Sequence, residues 1–317
     1  MIYLKTRPAW AQLLMFIGMA FGLFIILSFI GVMILSKMTG IGILEIGDTD
    51  KWDFTKPGML TFVRGMLLVQ FLGLFLIPSL LFAYFSDPKP FSYVGFRSSK
   101  PIYILLGVAV LFLAIPFVEW SGVINHNLIP ETTPTGKWMK ESEESAAKQI
   151  AFLLQRNTAK DLLLNLVFIA GFAGFGEELF FRGVLQRIFI KMFKSPWAGI
   201  IVTAIIFSAI HLQFYGFIPR FILGVLLGLI YWYSGSLWPA ILAHFIYDGF
   251  FVLLVFLDPA LATQEGPTMN MGNQVVMALI SAALVGTVLY LMKKKSTASY
   301  EAIYAGDKID TGNPFSF

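Results

Sequence analysis

The sequence predicts an all-α membrane protein, a polytopic helix bundle of about eight transmembrane helices. Three observations carry that prediction. Of the 317 residues, 57% are hydrophobic and 13% are charged, a balance foreign to soluble domains. The apolar residues gather into runs long enough to cross a hydrocarbon core of about 30 Å. Between these runs no polar block is long enough to build a separate soluble domain.

The elements follow in order. Lys5 and Arg7 precede an uncharged run from Trp10 to Leu35. A signal peptide has a shorter apolar core and a small-residue cleavage site, so this run reads as a retained first helix. After a polar loop at Ser36–Gly58, Met66–Phe85 spans again, with a kink expected at Pro78. A basic loop, Ser86–Pro101, leads to the third span, Ile102–Trp120. Ser121–Lys160 is the longest polar stretch; within it Trp138–Gln155 reads either as an amphipathic helix on the membrane surface or as a solvated connector. Leu162 to about Ile190 is a long fourth span, and Trp197 to about Phe214 a fifth that ends with His211. Pro219–Tyr233 is a short sixth, so the Ser234-Gly235-Ser236 turn is expected inside the membrane. Leu237–Leu257 and Val275–Met292 complete the set, before Lys293-Lys294-Lys295 and a polar tail. Arg220 reads as a snorkelling helix-end residue, Gly224-x-x-x-Gly228 as a close helix contact, and His126 as a loop residue.

These elements group into an N-terminal three-helix region with its polar connector (1–160), a core (161–257), and a last helix with a tail (258–317). Lys5/Arg7, Lys89/Arg97/Lys100, Arg187/Lys191/Lys194 and the triple lysine fall on one side of an eight-span chain. The loop before the last span has no Lys or Arg. The positive-inside rule then places both termini in the cytoplasm, in a cell inner membrane. The 23 Lys and Arg against 19 Asp and Glu are topology signals and form no nucleic-acid patch. Without cysteine, disulfides, thiolate metal sites and a cysteine nucleophile are excluded. No phosphate loop, cofactor fingerprint or G-x-S-x-G elbow is present.

The chain is organised around Gly171–Arg182, where Glu177 and Glu178 sit inside an almost wholly apolar helix. Each charge near a bilayer centre costs about 2.5–3.5 kcal/mol on insertion scales. Glu178 and Arg182 are i,i+4 neighbours and can pair. Glu177 points about 100° away and lacks that partner. Counting ~1.5 Å per residue brings Glu177, His211 and His244 to similar depths, and Asp248 is i+4 from His244, placed to orient its imidazole. Four ionisable groups in three spans suit three chemistries. They could activate water for peptide hydrolysis. Glu177, His211 and His244 could hold a divalent metal such as zinc, with Asp248 as a fourth ligand. They could also relay protons in a transporter, although the internal repeats that transporters favour are absent to the eye.

Glu177-Glu178-Leu-Phe-Phe-Arg182, Phe207-Ser-Ala-Ile-His211 and His244-Phe-Ile-Tyr-Asp248 resemble, in order, the three motifs of the CPBP (Abi, CAAX-protease-like) intramembrane protease family, which includes the type II CAAX prenyl endopeptidases. The resemblance covers about residues 161–257. It implies an endopeptidase in a helical bundle, acting on a peptide or membrane-protein substrate in the lipid bilayer. It further implies Glu177 as water-activating base with His211, His244 and residue 248 near the oxyanion, and Glu178 with Arg182 bracing the site. The third motif usually ends in Asn, which can donate to an oxyanion; an ionised Asp248 cannot. Asp248 is then protonated, an orienter of His244, or a metal ligand. Some members are linked instead to bacteriocin self-immunity or scaffolding, the noncatalytic alternative.

Overall fold

The computed structural model describes residues 3–46, 52–156, 158–262 and 271–304, which contain helices and no strand. Most of the loop before the last span and the tail beyond Tyr304 lie outside the described residues. The principal helices are α1 Ala9–Thr39, α2 Met59–Ser86 and α3 Pro101–Asn127, α4 Pro134–Leu154, α5 Ala159–Phe193, α6 Pro196–Ala209, α7 Phe217–Ser234, α8 Leu237–Leu257 and α9 Met271–Lys295. Seven helices among the described residues are long and apolar enough to cross a membrane, and α6 is an eighth, shorter apolar helix. The protein is an integral membrane helix bundle. Phe29, Leu105 and Leu279 are each at least 65% exposed on its outer faces, surface that lipid covers.

Local chemistry sets the boundaries. Thr158, Ser195 and Ser236 each accept a backbone N–H at the start of α5, α6 and α8, which satisfies donors that have no partner within the helix. Gly235 ends α7 at φ 66°, a left-handed position that suits glycine. In α2 the hydrogen bonding widens to i→i+5 over Phe71–Leu76, just before Pro78. Proline supplies no N–H and its ring crowds the carbonyl one turn earlier, which accounts for the wider turn beside it.

Four sequence expectations change. The fifth span stops at Ala209, short of Phe214. Leu212 has φ 55°, so His211 stands in a turn and not on a helix. At 14 residues α6 is about 21 Å long, which makes the fifth helix the short one and leaves α7 near full length. The third span runs on to Asn127, so His126 belongs to a helix; its Nε2 lies 3.3 Å from Glu131 Oε1. Arg220 does not snorkel but turns back onto the His211 turn, as described below.

α5 is the central helix and packs against α1, α2, α6, α7 and α8. Its hydrogen bonds widen to i→i+5 over Leu166–Gly171, Ala173–Glu177 and Leu179–Gln186. Such wide turns recur at functional sites. Gly174 lets α8 approach: a Cβ there would sit 2.9 Å from Phe245 N. At one end of the bundle the basic residues converge. Lys5 Nζ pairs with Asp87 Oδ2 at 2.7 Å, Lys191 Nζ donates to the Lys5 carbonyl, and the Arg187 guanidinium lies 4.2 Å from the Tyr93 ring centre and 5.0 Å from that of Tyr304.

Candidate active site

Glu178 and Arg182 are fully buried in the middle of α5. Arg182 Nη1 donates to Glu178 Oε1 at 2.6 Å, the pair their helical spacing predicts. Arg182 Nη2 donates to the Gly224 carbonyl at 3.0 Å, and one turn on Gln186 Nε2 donates to the Gly228 carbonyl at 3.1 Å. The glycines of α7 therefore do more than admit a neighbour. Their lack of Cβ exposes two carbonyls to polar side chains of α5; a Cβ on Gly228 would stand 2.7 Å from Gln186 Oε1.

His244 comes from α8. Its Nδ1 lies 2.9 Å from Glu178 Oε1 and its Nε2 lies 3.3 Å from Asp248 Oδ2. A continuous chain results: Arg182, Glu178, His244, Asp248. Glu178 Oε1 serves both the guanidinium and the imidazole, while Oε2 has no hydrogen-bond partner among the described residues.

The other two predicted residues stand apart from that chain. Glu177 makes no side-chain hydrogen bond or ion pair among the described residues. It lines a cavity of about 150 Å³ with Phe71, Phe75, Ile150 and Phe172, yet lies within electrostatic range of His244, Asp248, Glu178 and Arg182. His211 Nδ1 donates to the Phe207 carbonyl at 2.7 Å, closing the end of α6 and leaving Nε2 for another partner. No direct hydrogen bond joins Glu177 to His211 among the described residues; His244 and Asp248 are within electrostatic range of both.

Two features escaped sequence reasoning. The Phe207 ring is shared: the Arg182 guanidinium lies 4.8 Å from its centre, the His211 ring 5.1 Å and the His244 ring 6.4 Å. Its place four residues before His211, on the same helical face, was the available signal. The second is the brace on the His211 turn. Arg220 Nη1 donates to the Gln213 carbonyl at 2.7 Å, Nη2 donates to Gln213 Oε1 at 2.9 Å, and Nη2 stands 3.8 Å from Glu143 Oε1 in α4. Burial pushes the Glu143 carboxyl above its usual range, against the opposing charge of Arg220. α4 is thereby tied to the turn, and its Phe152 and Leu153 are buried in the bundle.

The metal set read from sequence does not assemble. Among the described residues no three His, Cys, Asp or Glu side chains form a group able to hold a metal ion. Both ring nitrogens of His244 face carboxylates instead, Glu178 and Asp248.

A helical membrane bundle with an Arg-Glu-His-Asp chain, buried except at Asp248, and a neighbouring unpaired glutamate defines a class: polytopic proteins with an intramembrane polar site. Comparison narrows it. Residues 159–250 match the family model described as Type II CAAX prenyl endopeptidase Rce1-like, the resemblance that the three motifs carry. Over 97 residues the chain is 32% identical to the uncharacterized protein YpbD of Bacillus subtilis (strain 168). That alignment covers 29% of this chain and 47% of YpbD, so the chain spans about half the length of the curated relative it matches. No solved structure matches.

Proposed function

We propose that this chain is an intramembrane endopeptidase, CAAX-processing-like, that hydrolyses a peptide bond with water activated by Glu177 and His211. The unequal partnership of two adjacent carboxylates carries this reading. Glu178 is committed to Arg182 and His244, whereas Glu177 faces a cavity without a hydrogen-bond partner among the described residues. A structural role needs the first carboxylate only; the second is kept in an apolar helix at a cost that function offsets.

In the proposed reaction Glu177 takes a proton from water, and the water oxygen attacks the scissile carbonyl carbon. His211, whose Nδ1–H donates to the Phe207 carbonyl, turns its Nε2 lone pair to the same water and helps hold it for attack. Glu177 then returns the proton to the departing nitrogen as the C–N bond breaks. His244 and Asp248 hold the charge and geometry around the intermediate. The 3.3 Å contact between them favours Asp248 as an orienter of His244. Glu178 and Arg182 brace the site.

The substrate is a peptide or membrane-protein segment presented near the cytoplasmic side. The convergence of basic residues at one end of the bundle supports both termini being cytoplasmic. The test is a comparison of membrane peptides in cells carrying the wild type or Glu177→Gln. Uncleaved peptides should accumulate with the variant. Unchanged peptides with an intact phenotype would favour the noncatalytic immunity or scaffold alternative.

A further inference from the structure

α4 touches both halves of the proposed site. Its Ile150 and Leu153 line the cavity of about 150 Å³ beside Glu177, together with Phe71 on α2 and Phe172 on α5. Seven residues before Ile150, about 10 Å along the helix, Glu143 reaches the turn that carries His211. Gln213 Nε2 donates to Glu143 Oε1 at 3.3 Å, and Arg220 Nη2 stands 3.8 Å from the same oxygen. α2 and α5 are apolar enough to cross a membrane, whereas α4 is not. The cavity therefore has two walls fixed in the bundle and a third supplied by an amphipathic surface helix.

The burial of α4 is concentrated at its two ends. Gly136, Met139, Phe152 and Leu153 are buried, and no residue between Met139 and Phe152 is. At the first end Tyr215 Oη donates to the Gly136 carbonyl at 3.3 Å, and the Trp138 and Phe214 ring centres lie 5.2 Å apart. At the second the Phe152 ring lies 4.6 Å from that of Phe54. Segments with so little buried apolar surface belong to the low-stability part of a structure, from which lids are drawn. Glu143 fastens the stretch between those ends. The His211 turn has other holds. Asn125 Nδ2 on α3 donates to the Phe214 carbonyl at 2.7 Å, Asn125 Oδ1 accepts the Ile218 N–H at 2.9 Å, and Ser208 Oγ on α6 donates to the Phe217 carbonyl at 2.7 Å. With Arg220 on α7 also bound to the Gln213 carbonyl, α4 can leave the turn while His211 stays in place.

The geometry points to α4 as a movable cover over Glu177, latched to the His211 turn by Glu143. Released at Glu143, the middle of α4 lifts, Ile150 withdraws from the cavity, and the site opens to a peptide segment. Refastened, α4 closes the cavity to bulk water. What enters rests on the endopeptidase reading; the movement itself does not.

The chain has no cysteine, so a single introduced thiol reports on the cavity. Ala173→Cys places one on its wall, a helical turn from Glu177. In the full chain in nanodiscs, its reaction with a charged methanethiosulfonate, which lipid excludes, is timed by mass spectrometry. It should react far more slowly than Glu141→Cys, whose residue is exposed on α4. Adding Glu143→Ala should speed the Ala173→Cys reaction about tenfold, the equivalent of one hydrogen bond to a charged group. Glu143→Gln, which can still accept from Gln213 but has no charge for Arg220, should fall between. Glu141→Ala should leave the rate unchanged. Val110→Cys, at a fully buried position of α3, should stay unlabelled in every background. An equal rate with and without Glu143→Ala, a parent that labels as fast as Glu141→Cys, or a parallel rise at Val110→Cys would overturn the proposal, the last because it reports general loosening. None of these readouts needs catalysis. Faster labelling of a protein that cleaves no peptide would support the cover and count against the endopeptidase reading.

Discussion

The Nδ1 atom of His244 lies 2.9 Å from Glu178 Oε1, across 66 residues of sequence. The same oxygen accepts from Arg182 at 2.6 Å. One carboxylate thus joins α5 to α8, and the guanidinium it holds also reaches the Gly224 carbonyl of α7.

Removing that carboxylate strands a buried cation. Breaking one side of a buried pair costs about 3–5 kcal/mol, so Glu178→Gln should lower Tm and yield strongly. Arg182→Ala should resemble it. Because Glu178 serves both partners, the effects of Arg182→Ala and His244→Ala should be non-additive in a double-mutant cycle. Full additivity would dissolve the chain of contacts.

Arg220 is expected to act on the site through the His211 turn. Arg220→Ala should lower cleavage more than it lowers Tm, because the turn lacks its brace. Arg220→Lys should rescue little, since one ammonium cannot reproduce the two guanidinium contacts to Gln213. Full rescue by lysine would reduce the role to charge alone.

Much of this was legible in the sequence, for local reasons. Glu178–Arg182 and His244–Asp248 are i,i+4 pairs, and helical spacing alone predicts their contact. Long uncharged runs marked the spans. What stayed hidden is nonlocal or unpunctuated. Nothing in one chain's periodicity joins Glu178 to His244, or Arg220 to Glu143. The break after Ala209 falls in Ile-His-Leu-Gln, without Gly or Pro, and depends on Leu212 adopting a left-handed backbone. The residues of the first motif were therefore easier to place than the turn that carries His211.

Topology is checked by fusion. A C-terminal reporter active only outside the cytoplasm should stay silent, because Lys5, Arg97, Arg187 and Lys295 share one end of the bundle. Strong activity would reverse the orientation.

Metal dependence is checked by elemental analysis with cleavage measured before and after chelation. With His244 flanked by carboxylates on both nitrogens, chelation should leave cleavage unchanged. Stoichiometric zinc whose removal abolishes cleavage would contradict this.

The division of labour between the two glutamates is the centre of the account, and Glu177→Gln tests it most directly. The measurement is thermal stability in detergent beside peptide cleavage, with Glu178→Gln in parallel. Glu177→Gln should melt close to the wild type and lose cleavage, while Glu178→Gln should melt early. A Glu177→Gln protein that cleaves at the wild-type rate, or that is the less stable of the two, would contradict it.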